Sequence, residues 1–301
     1  GIWAAANVIA PLPTWLGLFV TDSLATINFY LARKTRAIVE ENLKHVLGDD
    51  VDRKTLRRVT RQAFRNLGRN YYDLARVPRM SRRKLEERVV FHGLEHLEAA
   101  RRAGRGVIVA SAHLGNLDLV MQASQLIGMD VVVLAEQLTP KKVHDLVMSL
   151  RGKLGLSFEP AGAGGVKAAF RALKQGKFVG LACDRVIHGQ GIETSFFGKP
   201  ALMPMGAADM ALRTGATILP SFSVRAGRDR YNVFFDPPIF VSKNGRVPEQ
   251  VRALTDRIIV VMERYIRENP AQWMAFDPIW DRRDDPTTPV ELHETAVDRA
   301  A

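Results

Sequence analysis

Gly106-Val-Ile-Val-Ala-Ser-Ala-His113-Leu-Gly-Asn-Leu-Asp118 is the stretch that decides how this chain folds. Its first half is an unbroken apolar run containing Val107, Ile108 and Val109, which reads as a strand buried on both faces. Its second half turns at Leu114-Gly115-Asn116 and continues as a helix to about Ile127. The alternation carries on downstream. Val131 to Ala135 reads as a strand, 140–154 as a helix, Leu156 to Pro160 as a short strand, Val166 to Gln175 as a helix and Lys177 to Cys183 as a strand. A Gly-rich loop from His188 to Gly198 leads to a helix from Gly206 to Thr214, strands at 216–224 and 230–235, and a final helix over 248–268. Strands separated by helices predict an α/β fold, with a largely parallel or mixed central sheet flanked by helices over residues 105–301.

Upstream, residues 33–104 carry apolar side chains at helical spacing, such as Leu43, Val46 and Leu47, then Val59, Ala63, Phe64, Leu67 and Tyr71. Ahead of them lies an apolar start, rich in Trp3, Trp15, Phe19, Ile27, Phe29 and Tyr30 and with Asp22 as its one charged side chain. Pro11 and Pro13 interrupt it, and Arg33, Lys34 and Arg36 follow. That arrangement suits short helices lying in a membrane interface better than one spanning helix, and equally suits helices covering a soluble core. Residues 1–104 are therefore expected as a helical, membrane-associating part integrated with the α/β core. Within it, Arg53, Arg57, Arg61, Arg65 and Arg69 form an i,i+4 row, read as a grip on an anionic surface.

The chain has 301 residues, of which 47% are hydrophobic, enough for a substantial core and against disorder. Its 43 Lys and Arg outnumber 32 Asp and Glu to leave +11, which favours a phospholipid surface, a phosphorylated substrate or nucleic acid. Nucleic acid is disfavoured because Phe64, Tyr71 and Tyr72 read as core positions and not as a base-stacking platform. The single Cys183 excludes an internal disulfide framework and offers no zinc cluster, so no metal is expected and a reducing compartment fits best.

His113 stands where a strand ends and a helix begins, the edge at which open α/β sheets bind ligands. The His-x4-Asp spacing lets Asp118 fold back across the turn and accept the imidazole N–H, leaving the other nitrogen to take a proton from a hydroxyl. Alone, the same pair serves as well for a cap or bridge of the turn. Glu193 sits between glycines and the pair Phe196-Phe197; it is expected within reach of His113, while the two rings either line an acyl channel or pack the core. Arg151 and Arg185 either meet phosphate or pair with Glu136, Glu193 or Asp184, and Asp184 itself either caps a turn or joins the site. The chain lacks a Gly-x-Ser-x-Gly elbow, a Walker sequence and a His-Glu-x-x-His helix. The run Ala161-Gly-Ala-Gly-Gly-Val-Lys167 has lysine where a dinucleotide fingerprint needs its third glycine.

His113-Leu-Gly-Asn-Leu-Asp118, the segment Gly191-Ile-Glu193 through Phe196-Phe197-Gly198-Lys199-Pro200, and Met203-Pro204-Met205-Gly206 together resemble the bacterial lysophospholipid acyltransferase superfamily. The pattern looks like the branch containing the late acyltransferases of lipid A biosynthesis and the phosphatidylinositol mannoside acyltransferases. The latter are similar at more positions, with an acid at Glu136, an arginine at Arg151 and a glutamate at Glu193. The resemblance runs from about Arg36 to Trp273. It implies a glycerolipid acyltransferase-like fold with His113 as base and Asp118 and Glu193 beside it. Glu136, Arg151, Asp184, Arg185, Phe196 and Phe197 are expected to line the substrate site. It further implies no cofactor, a thioester co-substrate on CoA or acyl carrier protein, a glycolipid or phospholipid acceptor, direct transfer without an acyl-enzyme, and peripheral attachment to the cytoplasmic face of the cytoplasmic membrane. A lipid A-type acceptor, and a non-catalytic lipid-binding protein of the same fold, are the competing expectations.

Overall fold

Pro13, with its fixed backbone, stands just ahead of the first described helix, α1 (Thr14–Leu31). The structure, a computed structural model, describes residues 9–76, 79–136, 141–152, 157–186, 191–242 and 246–280. Trp3, His188, the ends of the helix expected over 140–154 and the chain beyond 280 lie outside the described residues. α1 is followed by α2 (Arg33–Leu47) and α3 (Arg53–Arg76). α1 is apolar on nearly every side, and one side packs on α3. Gly17 makes that approach close, because a Cβ there would lie 2.3 Å from the Tyr72 ring. Phe29, Val39, Leu43, Ala63 and Phe64 form the core between the three helices.

Part of the arginine row of α3 is engaged by α1. Arg69 makes a double hydrogen bond to Asp22 (2.7 and 2.6 Å), Arg65 Nε donates to Thr26 Oγ1 (3.0 Å), and Arg57 lies over the rings of Phe29 and Tyr30. Asp22, the one acid of an otherwise apolar helix, ties the end of the row at Arg69 to α1, while Arg53 and Arg57 stay exposed. The opposite side of α1 is bare: Trp15 and Phe19 are 65% and 67% exposed, and Ile27, Tyr30 and Leu31 are exposed beside them. Among the described residues no helix is long and apolar enough to cross a membrane.

The remaining elements are α4 (Arg82–Glu86), β1 (Val89–His92), α5 (Leu94–Arg102), β2 (Val107–Ser111), α6 (Leu117–Ser124), β3 (Val131–Ala135), α7 (Lys141–Gly152), β4 (Ser157–Pro160), α8 (Ala163–Lys174), β5 (Phe178–Ala182), β6 (Gly191–Phe196), β7 (Lys199–Pro204), α9 (Gly206–Thr214), β8 (Thr217–Arg225), β9 (Tyr231–Phe235) and α10 (Val247–Glu268). Seven strands form one sheet in the order β1-β9-β8-β2-β5-β3-β4, parallel throughout except where β8 meets β9. This is the mixed, mostly parallel sheet that the alternating pattern predicts. Ile108, Val179 and Ile218 pack on one face beneath α8, α9 and α10, and Val107, Val131 and Leu219 pack on the other beneath α5 and α6.

Two elements depart from expectation. β1 falls in the stretch read as wholly helical, and it pairs in parallel with β9 from Val89↔Tyr231 to His92↔Phe234. Four residues are too short to show a period, and Val90 faces solvent while Val89 is buried. The segment read as a Gly-rich loop is instead the hairpin β6–β7, in register from Gly191↔Pro204 to Phe196↔Lys199. Its turn is Phe197-Gly198, both at positive φ (51° and 75°), the backbone of a two-residue hairpin loop usually built from Asn-Gly. Glu263 Oε1 accepts from Phe197 N at 2.5 Å and holds that unusual conformation.

Candidate active site

β2, β3, β4, β5 and β8 all end at one edge of the sheet, and the chemistry gathers there. His113 lies two residues beyond β2, on the turn into α6. Two backbone hydrogen bonds fix this turn against the segment after α10: Met274 N donates to His113 O (2.7 Å) and Gly115 N donates to Gln272 O (2.9 Å), together making the antiparallel bridge of Leu114 to Trp273. Gly115 has φ +66°, and a Cβ there would lie 2.3 Å from Ser223 O, so glycine is required on both counts. Asn116 caps α6 by accepting from Leu119 N (3.1 Å).

Asn116 Nδ2 also donates to Asp73 Oδ2 (3.1 Å), which accepts in addition from Arg225 Nη2 (2.6 Å) and from the Tyr231 hydroxyl. Asn70 joins the same floor, donating to Gly115 O (2.5 Å) and accepting from Arg225. The Asp73 and Arg225 side chains are only 1% and 4% exposed. Removing one member strands the other charge, so Asp73→Ala is expected to cost about 3–5 kcal/mol in urea unfolding, a loss no surface ion pair matches.

The carboxylate that reaches the imidazole is Asp184, not Asp118. His113 Nδ1 lies 2.8 Å from Asp184 Oδ1, and Asp184 Oδ2 accepts from Trp273 Nε1 at 2.8 Å. Asp184 is 1% exposed and the His113 side chain 26%. Burial alone would raise this carboxyl, but the charge and hydrogen bond of His113, the Trp273 N–H and nearby Arg185 outweigh it and hold its pKa down at about 2. An ionised Asp184 places the proton on Nδ1, so Nε2 carries the free lone pair. Asp118 points away, because Arg151 claims it first with Nε–Oδ1 at 2.6 Å and Nη2–Oδ2 at 3.2 Å, and the same guanidinium covers the Phe158 ring. The spacing across the turn allowed the first geometry; a bidentate ion pair decides the second.

Arg185 pairs with Glu136 (2.7 Å) and with Asp277, and its Nε is buried without a partner among the described residues. Glu193 does not reach His113. It lies on the exposed side of β6, where its carbonyl accepts from Arg252 (2.9 Å). Phe196 and Phe197 do not line the cavity either. Phe196 is fully buried and stacks on Trp280 (5.3 Å), and both rings lean on Trp273. Their place is behind the tryptophan that holds Asp184. Trp273, Asp73 and Arg225 escape a sequence reading because their partners lie 89 and 152 positions away.

Cys183 adjoins the site as a thiol that stays protonated: burial, and then the charge of Asp184, push its pKa up to about 12. His113, Glu136, Arg151 and Arg185 stand on the rim of a cavity of about 690 Å³ whose walls are mainly apolar. Among the described residues no cluster of His, Cys, Asp and Glu is placed to hold a metal.

The profile of the family described as bacterial lipid A biosynthesis acyltransferase matches residues 2–282. A phosphatidylinositol mannoside acyltransferase of Mycobacterium tuberculosis is 33% identical over 226 residues, covering 72% of this chain and 69% of its own length. A protein of the same description from Mycolicibacterium smegmatis is 29% identical, covering 73% and 71%. A lipid A biosynthesis acyltransferase of Haemophilus influenzae is 23% identical, covering 86% and 85%.

Proposed function

Since the chain belongs to the bacterial lipid A biosynthesis acyltransferase family, and so transfers acyl groups, we propose that it moves a fatty acyl chain from a thioester to a hydroxyl of a glycolipid, with His113 as general base. The His113–Asp184–Trp273 chain at the rim of an apolar cavity carries the reading. Nε2 takes the hydroxyl proton while the acceptor oxygen attacks the thioester carbonyl. A C–O bond forms, the C–S bond breaks, and the proton passes from the imidazolium to the departing sulfur to give a free thiol. The developing oxyanion is steadied by the first amides of α6 and by Arg151. The unmatched Nε–H of Arg185 suits an anionic head group or the donor's phosphates.

The donor is acyl-CoA or acyl carrier protein, and the acceptor is of the phosphatidylinositol mannoside type, the class named in the 33% and 29% identical relatives. Incubation with radiolabelled palmitoyl-CoA and phosphatidylinositol mannoside tests this: label in the glycolipid and stoichiometric free thiol are expected. Thioester that stays intact with every lipid acceptor would leave a lipid-binding protein instead.

The protein works at a membrane surface, held by the bare side of α1. With each buried apolar side chain worth about 1.5–3 kcal/mol, Trp15→Ser with Phe19→Ser is expected to weaken co-sedimentation with phosphatidylglycerol vesicles at least ~10-fold.

A further inference from the structure

Neighbouring residues of one strand point to opposite faces of a sheet. The cavity nevertheless is lined by both Val133 and Leu134 of β3, and by both Gly180 and Leu181 of β5. Val109 and Val133 lie against the core beneath α6, whereas Leu134 and Leu181 lie against the core beneath α8 and α9. A single cavity touches both members of such pairs only by wrapping round the carboxyl edge of the sheet. It therefore has two arms, with His113 and its charged neighbours at the fork. The first arm runs beneath α6 along Val109, Val131, Val133, Met129 and Phe235; the second runs between the starts of α8 and α9 along Leu134, Val166, Phe170, Leu181, Met205 and Met210.

We propose that the second arm is a binding site for an alkyl chain other than the one transferred, namely a chain already carried by the lipid acceptor; the proposal rests on the acyltransfer reading of the site. Its walls are aliphatic, aromatic and thioether groups, with small residues such as Ala163 and Ala207 leaving width between them. Its acid, Asp209, is turned to Arg213 at 2.8 Å, and its thiol stays protonated. Such walls offer little to the amides of a pantetheine arm and suit a hydrocarbon. With the donor chain in the first arm and an acceptor chain in the second, thioester and hydroxyl meet at the fork beside His113.

The test uses palmitic acid carrying a terminal diazirine, irradiated with the full-length protein and mapped by peptide mass spectrometry. Labels are expected both in Met121–Val133 and in Val166–Phe170 or Met205–Met210. Palmitoyl-CoA is expected to protect the first set and lysophosphatidylinositol the second. Leu181→Trp, or Val166→Trp if the first fails to fold, should abolish only the second set. Labels confined to the α6 side, or protection of both sets by palmitoyl-CoA alone, would overturn the two-chain arrangement. Turnover of palmitoyl-CoA by the unmodified protein, measured in parallel, separates this failure from failure of the acyltransfer reading.

Discussion

His113→Ala is expected to lower transfer from palmitoyl-CoA by about 10⁴-fold while the thermal unfolding midpoint stays within a few degrees of the parent. Among the described residues lining the cavity, the imidazole is the one basic group whose lone pair is free, since the guanidinium groups of Arg151 and Arg185 offer no acceptor and are engaged by Asp118 and Glu136. Its removal takes the proton acceptor and leaves the cavity walls in place, so the affinity for palmitoyl-CoA should hardly change. The side chain is a quarter exposed and leaves no large void, which is why stability should survive. Equal turnover by the variant and its parent would remove His113 from the mechanism.

Asp184→Asn should be nearly as damaging, by roughly 10³–10⁴-fold in kcat, because a neutral amide no longer fixes the proton on Nδ1 and no longer stabilises the imidazolium formed in the reaction. Asp118→Asn acts differently: it frees Arg151, which is expected to disturb KM more than kcat. The contrast distinguishes the carboxylate that orients the base from the one that orients an arginine. A pH titration of stability gives a second readout. The carboxyl of Asp184 sits at about 2, below its ordinary value, so its stabilising effect is complete above pH 4 and is lost as pH falls through about 2. That increment is about 2 kcal/mol. It should be present in the parent and missing from Asp184→Asn in urea unfolding measured across this range.

The fold was legible where its signals were local. The apolar runs at 107–111, 131–135 and 178–182 stand where buried strands were expected, because a strand covered on both faces needs nothing but bulk and β-branching along its length. β1 was not legible, since its identity as a strand comes from Tyr231 and Val233 of β9 and not from its own four residues. The site divided in the same way. His113 declared itself by standing at a strand end. Its partner did not, because Asp118 and Asp184 are equally good carboxylates and only the folded position of Arg151 assigns them. Glu193 looked catalytic beside its glycines, yet the hairpin turn at Phe197 sets the face on which it lies. In the arginine row of α3, Arg65 and Arg69 find partners on α1 that their own spacing does not announce.

The segment 270–277 ties the site to distant parts of the chain. It crosses back over the turn at His113, supplies the indole that holds Asp184, and is itself held by Asn42 on Ala275 O and Asp277 O and by Asn66 on Ala271 O. More than 150 residues separate it in sequence from the turn it braces, so these contacts carry a large loop-closure cost. None of the seven strands of the central sheet lies in this segment, whereas the alignment of the base depends on it. The brace on the base is thus a separate, long-range closure laid over a sheet that is built without it.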